Sequence, residues 1–358
     1  MIDFAGFIAP FVIYAYVLAL HLVLPAQEVR GYVRDASDTP LSYRLNGLPV
    51  AFTTLATWAF VCGRGWIAWD FLWIHRWGSL AGACAIGLVV SVVMFVTAPS
   101  TGAGALREFY LGRRANPQAM GGRLDTKMFL YLVGATMLAL NLGSFAAHHI
   151  AAHPGNPSPG VLLHCALFGW FLVDYLFFER VHLYTYDLFA ERVGFKLGWG
   201  CLSFYPYFYA VGLWSIADRP NPHTSVLGLV LAAVVFFAGW CLARGANMQK
   251  FFFKLDPRAP FLGIAPQVVS DGSRALLCSG FWGVARHVNY LGEVLMATGL
   301  ALALGHPGAI GPWLYPLYYV ALLVPRERDD HRRCAAKYGA LWDEYCRRVR
   351  YRIIPGVY

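Results

Sequence analysis

Eight stretches of the chain, residues 4–24, 47–63, 77–106, 128–147, 161–173, 199–217, 224–243 and 294–325, contain no Lys, Arg, Asp or Glu. A helix that crosses a bilayer needs about 20 mostly apolar residues. The last run is too long for one crossing, and Gly305-His306-Pro307-Gly308 divides it at a tight turn. Nine candidate spans result. They are expected to be helices, because lipid cannot satisfy the open edges of strands. The run at 4–24 has no basic segment before it and no small-residue cleavage site, so it reads as a helix that stays rather than a removed leader. Composition agrees: 58% of the 358 residues are hydrophobic and 14% are charged, against roughly 45–50% and 25% in soluble domains. A soluble globular fold and a disordered chain are both excluded. The expected fold class is all-α, a polytopic transmembrane helix bundle.

The net charge of +9 does not point to nucleic acid. Lys and Arg sort by side. The loops 25–46, 107–127, 179–198, 244–274 and 326–358 hold 25 of them, and the alternate loops hold 3. By the positive-inside rule this places the C-terminus in the cytoplasm. Arg286 falls in a segment without an assigned side. The eight cysteines form no CxxC pair, so they read as small buried hydrophobes, with no disulfide framework and no zinc site.

Ionisable groups near an apolar run are costly and often functional. Asp174, Glu179 and His182 lie within two helical turns, with Asp187 beyond them. They read either as the snorkelling end of a helix or as the polar wall of a pocket. The tract Phe204-Tyr205-Pro206-Tyr207-Phe208-Tyr209 sets phenols around a helix-kinking proline. It reads as packing, as an interfacial belt, or as a pocket in which a tyrosine delivers a proton. His148, His149 and His153 are expected in a Gly/Pro-rich loop on the outer side with no carboxylate nearby, a weak case for a metal. Thr101-Gly102-Ala103-Gly104 is not a dinucleotide fingerprint, since no strand precedes it.

The last third carries the densest chemistry. It reads RGANMQKFFFKLDPR over 244–258, SGFWGVARHVNYLGE over 279–293 and LLVPRERDDHRRCAAKYGALWDEYCRRVRYRIIPGVY over 322–358. Cations (Lys250, Lys254, Arg286, Arg326, Arg332, Arg333) alternate with flat faces (Trp282, Tyr290, Tyr338, Trp342, Tyr345) and with Asp329, Asp330 and Asn289. Phosphates want the cations, an aromatic base wants the ring faces, and a ribose wants the carboxylate or amide. Contact with anionic lipid headgroups alone would explain the arginines but not the interleaved Trp, Asn, Tyr and Asp.

These blocks, together with SYRLNG at 42–47, FYLGRRANPQ at 109–118 and PYFYAVGLW at 206–214, closely resemble the sterol reductase family of membrane enzymes. That family includes the delta-14, delta-7 and delta-24(28) sterol reductases and the membrane domain of the lamin B receptor. The resemblance covers most of the chain after residue 42. It implies about nine to ten helices, a C-terminal cytoplasmic cofactor-binding region, and reduction of a carbon–carbon double bond in a sterol by NADPH. One crossing beyond the nine counted would then lie near 64–79 or 275–291 as a short or re-entrant segment. The implied cofactor residues are Lys250, Lys254, Leu277, Trp282, Asn289, Tyr290, Arg326, Asp330, Cys334, Lys337, Tyr338 and Tyr345. The implied proton donors are Tyr209, the tyrosine of the PxxY element, and secondly Asp330. The implied division is 1–243 as the sterol-facing transmembrane bundle and 244–358 as the NADPH-binding region with the last two spans. The expected partners are a sterol and membrane lipid, with no nucleic acid and no obligate protein partner. The expected location is the endoplasmic reticulum in a eukaryote or the inner membrane in a bacterium.

Departures from the family pattern fall in the sterol-facing half: LYLVGATM follows Lys127, AERVGF stands at 190–195, and VGLW follows the PxxY tyrosine. They bear on which sterol is taken more than on the chemistry. Lys254 stands where many members carry arginine, and Pro325 where they carry histidine. Two rivals remain at this level. One is an isoprenylcysteine-type methyltransferase using S-adenosylmethionine, against which the asparagine of RHVNYLG and the RGANMQK block both weigh. The other is a non-catalytic sterol-binding protein.

Overall fold

The computed structural model describes residues 3–358, and the chain divides between Asn221 and Pro222 into two compact units. In the first, helix α1 (Phe4–Val23) opens at Asp3, whose carboxylate accepts the Gly6 N–H at 2.7 Å. An antiparallel ribbon follows, β1 (Gln27–Arg34) with β2 (Pro40–Leu45), and Gln27 lies opposite Leu45. The chain then runs through α2 (Gly47–Gly63), α3 (Phe71–Ile74), α4 (Arg76–Val96), α5 (Ala105–Leu111) and a two-residue ribbon of β3 (Gln118–Ala119) with β4 (Leu124–Asp125). Helix α6 (Thr126–Ala152) is buried on most of its faces, and α7 (Pro159–Phe177) packs against it. Short helices complete the unit: α8 (Glu179–His182), α9 (Tyr186–Phe189), α10 (Phe195–Trp199), α11 (Tyr205–Phe208) and α12 (Val211–Ile216).

In the second unit, α13 (Val226–Leu255) is followed by a ribbon of β5 (Val268–Ser270) with β6 (Ala275–Leu277), then α14 (Phe281–Val284), α15 (Val288–Ala303), α16 (Ile310–Tyr338) and α17 (Ala340–Arg348). The expected turn separates α15 from α16, with Gly305 at φ 72°. Close helix contact comes from small residues, as lipid-embedded packing requires. A Cβ on Gly292 of α15 would stand 2.6 Å from the Gly239 carbonyl oxygen of α13.

The protein is therefore mostly helical, and α1, α4, α6, α7 and α13 are long and apolar enough to cross a membrane. Four expectations need correction. The chain is not purely helical, since three two-stranded ribbons occupy stretches outside the uncharged runs, where water can meet a strand edge. The run 77–106 is not one helix: α4 stops at Val96, before Pro99 and two glycines, Gly102 and Gly104, at φ 79° and 90°. The run 199–217 is a broken chain of α10, a π-turn at Gly200–Phe204, α11 and α12. Finally, neither segment expected to hide a further crossing contains a regular spanning helix: 64–79 holds α3 and the start of α4, and 275–291 holds β6, α14 and the start of α15.

Breaks inside an apolar interior expose carbonyls, and side chains meet them. Asn141 donates to the Pro206 carbonyl at 2.9 Å and Tyr14 to that of Leu202. The strongest such anchor is Lys127, fully buried in the first turn of α6. Its ammonium donates to the carbonyls of Asp187, Leu188 and Glu191 at 3.1, 2.8 and 2.7 Å, and to Asn116 Oδ1 at 3.0 Å. One cation thus ties the 187–191 turn to α6. Lys127→Met removes the donor that these acceptors share and is expected to cost about 3 kcal/mol or more, read as a lowered thermal midpoint of the purified protein.

Candidate active site

The C-terminal unit brings most of the residues singled out in the sequence into one neighbourhood. Gln249 of α13 organises it: its Oε1 accepts the Phe281 N–H at 2.9 Å, and its Nε2 donates to the Ser279 carbonyl at 3.1 Å. Between them Gly280 takes φ 58°, and a side chain there would run into Gln249, so the residue must be glycine. The turn so fixed presents Trp282, whose indole N–H donates to the Ala246 carbonyl at 2.8 Å and whose ring lies 5.1 Å from Lys250 Nζ. Tyr345 of α17 donates to the Trp282 carbonyl at 3.4 Å.

Lys254 lies in electrostatic reach of both Lys250 and Lys337. Lys337 also lies 5.0 Å from the Tyr338 ring. Asp330 of α16 faces Lys250, and burial pushes its carboxyl above the usual range against the pull of that cation. Cys334, one turn on, points its thiol at Asp330 across 3.9 Å. Burial pushes that thiol up to about 12, which keeps it protonated and unreactive. Leu277, on β6, and Tyr290, on α15, are buried. Arg326 is half-buried on α16, next to Glu327, which is 1% exposed and held by Arg352 at 3.1 Å.

Two features fit a dinucleotide. Asn289 Oδ1 is buried and has no hydrogen-bond partner among the described residues, an acceptor waiting for a donor such as a carboxamide. The lysine cluster beside an indole and a phenol offers charge for phosphates and flat faces for a base.

Sequence reading passed over His287, although it lies inside the RHVNYLG block. It is 6% exposed, stacks on Tyr290 with ring centres 4.8 Å apart, and sets Nε2 3.7 Å from Asp330 Oδ2. Burial pushes its pKa down to about 3, with Lys250 and Arg286 adding to the effect, so the ring is neutral. Its backbone N–H donates to the Arg352 carbonyl at 2.8 Å, as that of Arg286 does to Tyr351 at 3.0 Å. Arg286, which had no assigned side, is 7% exposed and reaches Cys346 Sγ at 2.7 Å. Nothing in the spacing of the C-terminal residues announces that they clamp the start of α15.

Tyr209 belongs to the N-terminal unit. It is half-buried just after α11, its ring 4.6 Å from Tyr205 in an edge-on pair. Its neighbour Tyr207 shares a 2.6 Å hydrogen bond with Ser79. Of the polar residues near α7, Glu179 lines a cavity, whereas His182 turns back to the Tyr175 carbonyl at 3.1 Å. His148, which had no carboxylate near it in sequence, meets two in the fold: Asp218 at 2.7 Å and Asp70 at 3.4 Å. The glycine-containing loop at 100–104 wraps the chain's own Glu108, whose carboxylate accepts from Thr101 N–H at 2.6 Å and from Arg113 at 2.7 Å.

Comparison with known proteins supplies the context. A sequence model of the "Ergosterol biosynthesis ERG4/ERG24 family" matches residues 6–358. A Delta(14)-sterol reductase of Arabidopsis thaliana is 33% identical over 359 residues, covering 96% of this chain and 94% of that protein. The Mus musculus Delta(14)-sterol reductase is 32% identical, covering 95% and 82%. That of Methylotuvimicrobium alcaliphilum is 31% identical, covering 95% and 80%.

The buried imidazole makes a pH prediction. Folded His287 takes a proton near pH 3, whereas an exposed imidazole does so near 6.5. Between those values the unfolded chain binds more protons, so acid removes stability as the pH falls through this window. His287→Gln is expected to flatten the loss of thermal midpoint between about pH 6.5 and pH 4, measured by melting both proteins across that range.

Proposed function

Because the chain belongs to the ergosterol biosynthesis ERG4/ERG24 family, we propose that it is a multi-pass membrane oxidoreductase that reduces a carbon–carbon double bond of a sterol with NADPH. The family match along residues 6–358 carries this reading. The names of the relatives make the delta-14 bond the first candidate, with delta-7 behind it. The methyltransferase alternative loses ground to the same match. The proposal keeps about nine to ten crossings, a cytoplasmic C-terminus, and location in the endoplasmic reticulum or a bacterial inner membrane.

The functional division we propose assigns residues 1–243 to the sterol and 244–358 to the cofactor; it cuts through α13, which runs from Val226 to Leu255. Lys250, Lys254 and Lys337 meet phosphates. Trp282, Tyr338 and Tyr345 supply ring faces, and Asn289 offers its unpartnered oxygen to the carboxamide. Leu277, Tyr290, Arg326, Asp330 and Cys334 complete the lining. When bound, NADPH supplies the hydride.

The chain's own part in the chemistry is to deliver a proton and keep water away. Tyr209 protonates one alkene carbon, and the other carbon, left cationic, receives the hydride. An apolar surround is required, or water captures the cation. Asp330 is the second candidate donor, because burial favours its protonated form.

Incubating the purified protein with NADPH and a panel of delta-7, delta-14 and delta-24 sterols, followed by mass spectrometry, tests the reading. A gain of two hydrogens by the delta-14 sterol is expected, and no product from any of them overturns it. Tyr209→Phe is expected to lower turnover by roughly a hundredfold or more with NADPH binding unchanged; full activity removes the tyrosine from the mechanism. Lys250→Met is expected to weaken NADPH binding about tenfold, read by titration of the purified protein.

A further inference from the structure

The turn that follows α13 holds a leucine outward under strain. Phe261 and Ile264 exchange two backbone hydrogen bonds, at 3.0 and 2.9 Å, around Leu262 and Gly263, whose φ angles are 50° and 77°. Asparagine followed by glycine suits a two-residue turn of this form. A leucine there sets its Cβ too close to the backbone. Leu262 is also 76% exposed, so its side chain gains little contact within the chain from that position. A residue held in a sparsely populated backbone region points to a use for the side chain it presents.

The turn is braced from behind. The Phe261 ring centre lies 5.9 Å from that of Phe252 on α13 and 6.4 Å from that of Phe281 on α14. Phe252, Leu255 and Ile264 are exposed as well, so the tip belongs to an apolar patch rather than standing alone. The N–H groups of Leu262 and Gly263 have no acceptor among the described residues.

The helix that leads to the patch shows what covers it. Along α13, Leu227, Leu231, Val234, Cys241, Phe252 and Leu255 are exposed. Their spacings of three, four, seven and eleven residues keep them on one face. No Lys or Arg of this helix is exposed, and it contains no Asp or Glu. An uncharged outward stripe on a helix able to cross a membrane is a surface for lipid. The 30 residues of α13 make a helix about 45 Å long, close to the thickness of a bilayer with both headgroup layers. Its last turn, and the turn braced on Phe252, therefore come level with the headgroups. Exposed Asp256 and Arg258 can stay hydrated there, and the two N–H groups at the tip can donate to ester or phosphate oxygens.

We propose that the turn at Phe261–Ile264 is an interfacial anchor, in which Leu262 and Ile264 insert between phospholipid headgroups at the C-terminal end of α13. The apolar stripe of the helix thus continues into a segment that does not cross the membrane. The inference does not use the reductase reading, and it stands or falls on contact with lipid.

The test uses the full chain in nanodiscs of palmitoyloleoylphosphatidylcholine, without cofactor or substrate, so a failure of reduction does not touch it. The photoreactive residue p-benzoylphenylalanine replaces Leu262, Ile264 or, as a control, Ser273 in the exposed polar turn between β5 and β6. After irradiation the intact protein is weighed by mass spectrometry. Adducts of one phospholipid are expected at 262 and 264, at least about fivefold above those at 273. Leu262→Asn suits the positive φ and removes the apolar tip. With normal melting, it is expected to speed tryptic cleavage of the Arg258–Ala259 bond in nanodiscs about tenfold. The inference is overturned if lipid adducts at 262 and 264 do not exceed those at 273, if the main product is a covalent dimer of the chain, or if Leu262→Asn is cut no faster than the parent.

Discussion

A carbonyl freed inside an apolar interior must find a donor, and much of the N-terminal unit is arranged around that constraint. No water waits there to take up the bond, so each break in a helix is coupled to a side chain from elsewhere in the unit. Asn141 meets the Pro206 carbonyl, and Tyr14 meets that of Leu202. Lys127 takes three carbonyls at once. These bonds let an irregular stretch between Phe195 and Ile216 persist where a regular helix would otherwise be required. They hold the tyrosine tract at fixed positions, and a proton donor needs such positions.

The C-terminal unit obeys a different constraint, the cost of like charges brought together. Lys250, Lys254 and Lys337 repel one another, and Asp330 offsets only part of that field. Such a cluster is costly in isolation and favourable around a polyanion. Nearby, His287 is held neutral by burial and by the surrounding cations, which keeps its ring flat against Tyr290. The same region holds an amide oxygen with no described partner.

The helical, membrane-embedded class was legible because lipid imposes it on any chain with such uncharged runs. The turn at Gly305–Gly308 and the boundaries of α1 and α2 followed from the same runs, whereas α6 continues past residue 147 to Ala152 and takes His148 and His149 into the helix. Charge alone could not tell where an apolar run stops being a helix. Pro99 ends α4 early, and Pro206 with the π-turn breaks the run at 199–217. The candidate cofactor residues were named from motifs, and the fold sets most of them around Trp282 and Lys250. What the sequence hid was pairing across distance: His148 with Asp70 and Asp218, and the backbone clamp of 351–352 on 286–287. Local spacing carries no record of partners brought together by tertiary packing.

The π-turn at Gly200–Phe204 has an arithmetic consequence. It contains one residue more than a regular turn would use, and a single residue corresponds to about 100° of azimuth around a helix. Everything downstream, including Tyr205, Tyr207 and Tyr209, therefore points about a quarter of a revolution away from where an unbroken helix would aim it. Deleting one residue from that turn would swing the phenols to another face without changing the identity of any of them. The direction in which the aromatic tract looks is thus encoded as a count, and it could be retuned in evolution by a single-codon insertion or deletion.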